Sequence, residues 1–596
     1  MCSSSCLAIP KSSIHIFHLT MRSFILTLPA SFLILSSLSA LGLAHETQRY
    51  LGPDAATPNG HPKNRRPRFQ CDLPRPIDPS ADGMLSSHDV FSGQDALETM
   101  LGRHQPLVRI PSICYDDLGD FDEDERWEPF ERIPRVLEET YPEVYKAAEV
   151  TIVNKFGLVY TFEGWDETLD PTLLIAHQDV VPVEEATLDQ WEHPPFSAYY
   201  SKDDGFLWGR GASDDKSAIT AVMAAMEELL SQDFEPRRTV IFAFGFDEEC
   251  SGHRGAGEIS KHLEKLYGEG GIAAIVDEGG LGLQSLDDTL YAVPGVYEKG
   301  YLDVWFELSV IGGHSSTPPP NTAIGIASEM VVALEARPFQ PEVMKGSPMH
   351  EALICLARHS PRAVPELTIA INYGDLEEAA RILSGLSRQS QYLIQTSQAI
   401  DVISGGIKIN ALPELVTVGV NHRYAPQDSI GSIQDRIVEV IDDIVRKYDL
   451  QLEAFEDDED YAKYLAARGR SAPSSNASHL WEPVYNGTLV LRSGEKSYIT
   501  PQTPSRGDIW DTFAGTVSHT FSREASAVVV APGAMTANTD SRHYLNLSRN
   551  IYRWSPMSFA SIGNIHTVNE RLLMSEHLNM AKFYYDFIRN FDQADF

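Results

Sequence analysis

Positive charge is in short supply. The 596 residues include 48 Lys and Arg against 84 Asp and Glu, a formal net charge of −36. A surface this negative repels phosphate backbones and anionic headgroups, which argues against nucleic acid as a partner. Cysteine is scarce as well, and Cys2 and Cys6 fall in the N-terminal leader. Cys71, Cys114, Cys250 and Cys355 are spaced too widely for a zinc-finger pattern, which argues against thiolate ligation. Their even number suits disulfides in an oxidising compartment, with the pairing left open. Cys250 by itself reads as a packed small residue. No G-x-S-x-G elbow occurs, which argues against a serine hydrolase. Internal repeats and long low-complexity stretches are also missing.

One long apolar run stands out. Phe24 to Ala44 is mostly hydrophobic, follows Arg22, and ends in Gly42-Leu43-Ala44. This fits a signal peptide cleaved before His45, or a single N-terminal membrane anchor. Met21 is an alternative start. Either way the body of the protein is expected in the secretory pathway, in a vacuole lumen or outside the cell. The sequons at Asn476, Asn486 and Asn546 agree with glycosylation there.

The rest divides into segments: a leader at 1–44, a Pro-rich linker at 45–84, a first catalytic part at 85–296, a lid or dimerisation domain at 297–456, and a second catalytic part at 457–596. At this length two domains are expected. Thr172–Ala176, Thr239–Phe244 and Ile272–Val276 read as buried strands, and Ser217–Leu230 as a helix with Ser213 or Asp214 at its N-cap. Alternating strands and helices predict an α/β catalytic domain with a mainly parallel sheet flanked by helices. Tyr301–Val310 alternates apolar and polar residues, and a helix-rich stretch follows to about 400. Leu415–Val420 then reads as a strand and Ser432–Tyr448 as an amphipathic helix, which together predict an inserted α+β domain.

Acidic and histidine clusters follow the predicted strands, where open α/β sheets gather their ligands. They are His177-Gln178-Asp179, Gly209 to Lys216 around Asp214, Asp247-Glu248-Glu249 and Asp277-Glu278. His566, leading into Asn569-Glu570, comes late. Each alone has an ordinary structural explanation, but together two histidines and three carboxylates suit two metal sites sharing one bridge.

The order of these clusters, with Gly312-Gly313-His314-Ser315-Ser316 after them, resembles the dizinc peptidase family of carboxypeptidase S, aminoacylase and succinyl-diaminopimelate desuccinylase. The stretches 404–414 and 538–557 resemble carboxypeptidase S-like members most. The resemblance runs from about residue 105 to the end. It implies a zinc-dependent exopeptidase-like fold and two Zn2+ per chain, with Co2+ or Mn2+ as substitutes. Asp214 would bridge the ions, His177 and Asp277 would complete one site, and Glu249 and His566 the other. It further implies Glu248 as general base, Asp179 as the group orienting His177, His314 as an oxyanion stabiliser, and Asn410 and Arg423 as substrate contacts. Asn421 stands where an acidic residue often precedes that arginine by two. The implied reaction is metallocarboxypeptidase cleavage of short Gly-Xaa-type peptides beside a free carboxylate, or hydrolysis of N-acyl amino acids on the same atoms. The chain would act as a monomer or as a homodimer through the lid. Because every implied ligand and the base are present, an inactive binding protein on this fold is disfavoured.

Overall fold

The computed structural model describes residues 70–286, 288–471, 485, 487–524, 527–558 and 561–596. The leader, most of the linker, Asn476 and Asn486 lie outside the described residues. Among the described residues no helix is long and apolar enough to cross a membrane.

An eight-stranded sheet forms the centre of the larger domain. Its order is Glu149–Val153, Gly157–Phe162, Val240–Gly245, Thr172–His177, Ala274–Asp277, Ile551–Arg553, Gly295–Glu298, Gly533–Met535. Val240–Gly245, Thr172–His177, Ala274–Asp277 and Ile551–Arg553 run parallel to their neighbours in this block, whereas the edge at Glu149–Val153 and Gly157–Phe162 is antiparallel. The parallel strands are apolar along their length because both faces are covered. Leu174, Ala176, Phe242, Phe244 and Val276 point into one core. Leu173, Ile175, Ile241, Ala243 and Ile275 point into the other, against Ile259 and Leu263 of the helix Ala256–Tyr267. On the first side, helices Lys216–Leu230 and Met574–Gln593 pack on each other. The Lys216 helix has Asp215 at its N-cap, with no side-chain cap bond, rather than Ser213 or Asp214. The side chain of Asp214 is committed elsewhere.

The smaller domain is a five-stranded sheet in the order Ala399–Gly405, Leu415–Tyr424, Gly300–Ser309, Thr488–Ser497, Gln451–Ala454. One face is covered by helices Ala323–Glu335 and Ile430–Lys447. Ile430, Ile433, Ile437, Ile441 and Ile444 supply the buried stripe of the second helix, at the three- and four-residue spacing an amphipathic helix needs. Ser429 and Ser432 close its N-terminus in a capping box, and Arg446 and Lys447 sit at the negative end of its dipole.

Two boundaries differ from the sequence reading. The chain does not rejoin the large sheet near 457: helix Glu459–Ala467 packs on Ile430–Lys447, and strand Thr488–Ser497 pairs along Tyr301–Ser309 with one irregularity between Leu302 and Val304. The Ser-rich composition of 471–478 reads as a domain junction, but strand pairing beyond it extends the smaller domain to Ser497. Conversely, the helices Pro348–His359, Pro365–Tyr373, Leu376–Leu386 and Arg388–Leu393 bury Met349, Leu353, Leu367, Ile371 and Leu383 in the core of the larger domain, not in that of the smaller one.

The cysteines pair as Cys71–Cys355 and Cys114–Cys250, so Cys250 is cross-linked rather than a free packed thiol. Cys71–Cys355 fastens the first described residues to the inserted helices across a separation of 284 residues. Cross-linking so large a loop lowers the entropy of the unfolded chain. The double substitution Cys71→Ser, Cys355→Ser is expected to lower the thermal midpoint by several degrees, a loss of roughly 2–4 kcal/mol; an unchanged melt would refute this anchoring role.

Candidate metal centre

Three neighbouring parallel strands end on one side of the sheet. His177 closes Thr172–His177, Glu248 and Glu249 follow Val240–Gly245 in a short 3-10 turn, and Asp277 closes Ala274–Asp277. The fourth contribution comes from the turn before helix Lys216–Leu230, where Asp214 and Asp215 are joined by a cis peptide.

Asp214 lies between the two histidines. Its Oδ1 is 3.2 Å from His177 Nε2 and its Oδ2 is 3.1 Å from His566 Nε2. His566 Nε2 is also 3.1 Å from Glu249 Oε1. On the other side His177 Nε2 is 3.4 Å from Glu278 Oε1. Potential ligand atoms of His177, Asp214 and Glu249, and of His177, Asp215 and Glu278, converge within 4.8 Å of one another.

Asp277 is not the carboxylate that meets His177. It is the last strand residue, and its oxygens accept from Ser541 N at 2.8 Å and from the amide of Glu278 at 2.9 Å. Successive residues of an extended chain point to opposite sides, so Glu278, one residue later, turns toward the imidazole instead. Strand alternation carries that distinction, but it requires the strand end to be located to the residue.

Asp179 has two tasks. Its Oδ1 is 3.3 Å from His177 Nδ1, whose ring also lies 3.1 Å from the Asp179 carbonyl oxygen. Its carboxylate accepts the amides of Glu248 and Glu249 at 3.1 and 3.0 Å. One side chain thus orients the imidazole and fixes the turn bearing the other acidic groups. The Cys114–Cys250 disulfide holds the same turn from its far end.

The electrostatics reflect crowded negative charge. Burial would raise Asp214, yet His177 and His566 outweigh it and hold this carboxyl below the usual range. Hydrogen bonds to Asp214 and Glu249 push His566 up to about 10. Burial works to lower His177, but its bonds to Asp179, Asp214 and Glu278 raise it well above the normal histidine value. Burial, then the charge of Asp214, raises Glu278 to about 7. Burial also raises Glu248 and Asp215 well above ordinary carboxyls. Asp215 Oδ2 is buried with no hydrogen-bond partner. A set of imidazole and carboxylate donors that gathers protons it would otherwise lose, with an orphaned oxygen among them, fits divalent cations that favour N and O ligands.

The sequence pattern of Peptidase family M20/M25/M40 matches residues 173–590. The chain belongs to this family. Carboxypeptidase S of Saccharomyces cerevisiae is 35% identical over 557 residues, covering 91% of this chain and 92% of its own. An uncharacterized carboxypeptidase of Schizosaccharomyces pombe is 38% identical, covering 88% of this chain and 85% of its own. The N-fatty-acyl-amino acid synthase/hydrolase of Mus musculus is 28% identical, covering 81% and 86%. In fold, human carnosine dipeptidase 1 superposes with a TM-score of 0.57 at 13% identity, covering 85% of this chain and 99% of that one.

The lid residues sit apart from this M20/M25/M40 centre. His314 is exposed on a short two-residue pairing with Ala411–Leu412, its Nδ1 2.7 Å from Ser316 Oγ. Asn410 is exposed beside it. Neither makes a hydrogen bond or ion pair with the His177–Asp214–His566 cluster. Arg423, half-buried on strand Leu415–Tyr424, is stacked over Tyr301 and donates to Asn538 Oδ1 at 2.8 Å. Asn546 is exposed.

Two buried histidines flank the Asp214 turn from behind. His104 Nε2 donates to the carbonyl of Ala212 and His577 Nε2 to that of Ser217, both at 3.0 Å, and both rings meet Thr220 Oγ1. Burial lowers His577 from 6.5 to about 4 and takes His104 well below 6.5. In this range the unfolded chain binds protons that the folded one refuses, so stability is lost as pH falls from about 6.5 toward about 4. His577→Gln should remove about 1.4 kcal/mol of that loss per pH unit. Urea unfolding of wild type and variant in chelator at pH 6.5 and 4.5 checks this; equal slopes would contradict it.

Proposed function

We propose that this chain is a dizinc metallocarboxypeptidase that cleaves short peptides beside a free C-terminal carboxylate. The observation that carries the reading is the shared Asp214 carboxylate, with one oxygen near each histidine and an additional acidic group on either side. His177, Asp214 and Glu278 would hold one zinc, and Asp214, Glu249 and His566 the other. The choice of zinc rests on the imidazole and carboxylate donor set, which would also take cobalt or manganese. Bound there, the two ions would supply Lewis acidity toward the amide carbonyl and acidify a water.

The protein's own groups then divide the proton work. Glu248 is adjacent to Glu249 but is not needed as a ligand. Burial raises its proton affinity, and the charges of Glu278, Asp540 and Glu249 add to this against an opposing effect from His177. A carboxylate so placed takes the proton of the attacking water and passes it to the leaving amide nitrogen. Asp179 holds His177 and the amides of Glu248 and Glu249 in register for that transfer. Two relatives named as carboxypeptidases, at 38% and 35% identity, support the carboxyl-end specificity.

His314 and Asn410 are assigned to oxyanion and substrate contacts. Their exposed two-residue strand pairing, next to Ile407 and Ile409 that are almost wholly in solvent, favours delivery to a second copy's site in a lid-mediated homodimer. Arg423 would reach the substrate carboxylate after releasing Asn538. We place the protein in the lumen of the secretory pathway, in a vacuole or outside the cell, with the leader cleaved or retained as an anchor and Asn476, Asn486 and Asn546 as glycan acceptors. The second reading, hydrolysis of N-acyl amino acids, is favoured by the similarity to the mouse fatty-acyl-amino acid enzyme.

Chelator-sensitive hydrolysis of Gly-Leu by the purified protein, faster than that of an N-acyl-leucine, is the expected result; the reverse preference would select the second reading. Glu248→Ala should lower kcat by about 10²–10⁴ while two metals stay bound. Turnover at the wild-type rate would remove Glu248 from the mechanism.

A further inference from the structure

Asp214 and His566 lie in segments far apart in sequence, and one buried side chain fastens both. Glu570, four residues after His566, has a side chain only 1% exposed. Its Oε1 accepts the amides of Gly211 at 3.0 Å, Ser213 at 3.2 Å and Asp214 at 3.4 Å, together with the Ser213 hydroxyl at 3.1 Å. Its Oε2 accepts Arg210 Nη1 at 2.6 Å, and its carbonyl oxygen accepts the amide of Gly209. Every residue from Gly209 to Asp214 except Ala212 therefore donates to Glu570.

The His566 end is tied down by the same residue and its neighbours. Asn569 Oδ1 accepts the amide of Glu192 at 2.7 Å, and Arg571 pairs in register with Trp208. His566 and Asn569 both hold left-handed backbone, at φ 59° and 66°. Such conformations are uncommon for side-chain-bearing residues, and Asn and His are among those that adopt them most readily.

We propose that Glu570 is a positioning residue of the metal centre, holding the Asp214 turn and the His566 loop at the separation that lets both bind the same ion. This rests on the dizinc reading. A carboxylate suits the task because it is acceptor-only, with room for several donors. Glutamine would not substitute: in either orientation its amide NH2 faces N–H groups that need an acceptor. Residues that orient metal ligands typically influence affinity by about 10–100-fold when changed.

The test is titration of the chelator-stripped full chain with cobalt(II), followed by its visible absorption, beside the thermal midpoint of the stripped protein. Wild type should bind two ions. Glu570→Gln should bind one nearly as wild type and the second about 10–100-fold more weakly, with an altered spectrum. Should that variant fail to fold, Ser213→Ala deletes one donor and should weaken the second ion several-fold. A folded Glu570→Gln that binds two ions with wild-type affinity, even with a lowered melt, would reduce Glu570 to a stabilising ion pair and overturn the proposal. So would unchanged binding in Ser213→Ala where Glu570→Gln cannot be measured. Fewer than two ions in wild type would instead defeat the dizinc reading, and this inference with it.

Discussion

The Asp214 carboxylate, shared between His177 and His566, is the interaction that the arrangement of this molecule serves. Its two oxygens lie 3.2 and 3.1 Å from the two imidazoles. Asp214 and the groups around it, His177, Glu249, Glu278 and His566, come from five places in the chain, and all but His566 follow parallel strands or precede a helix. A rigid sheet, buried on both faces, is what makes such convergence repeatable: the strands cannot slide without exchanging their core-facing side chains between layers. Without a cation the site concentrates negative charge in a buried setting. It answers by raising the pKa of both histidines and several carboxyls. A divalent ion resolves the same conflict by replacing those protons.

The support behind the ligands repeats one device, a buried carboxylate that accepts backbone amides. Asp179 does this for Glu248 and Glu249, Asp247 for Arg254 and Gly255, Asp277 for Ser541, and Glu570 for the Asp214 turn. Each replaces water as the partner of amides that secondary structure leaves unpaired. A structurally decisive fraction of the chain's carboxylates is therefore internal.

The catalytic sheet was legible because parallel strands buried on both faces are short apolar runs, and Leu173–Ala176 and Ile241–Phe244 are such runs. The acidic and histidine clusters were legible through their placement after predicted strands, whereas the choice of His177, Asp214, Glu249 and His566 within them rested on the family resemblance. What escaped was information carried by single-residue register or long-range pairing. Asp277 and Glu278 are equivalent in composition, and only the end of the strand decides which one faces His177. The smaller domain's true extent depends on Thr488–Ser497 pairing with Gly300–Ser309, on the far side of a Ser-rich sequence whose composition resembles a domain junction. Glu570 was visible within its motif, yet a carboxylate that binds amides leaves no signature in sequence spacing. The cysteine pairing likewise depends on contacts across separations of 284 and 136 residues.

Anomalous diffraction at the zinc edge from crystals of the zinc-loaded protein addresses the central claim most directly. The account predicts two peaks about 3.5–4 Å apart, with Asp214 between them, Glu278 beside the His177 ion and Glu249 beside the His566 ion. A single peak, or two peaks with Asp277 in place of Glu278 or with Asp214 bound to one ion only, would contradict it.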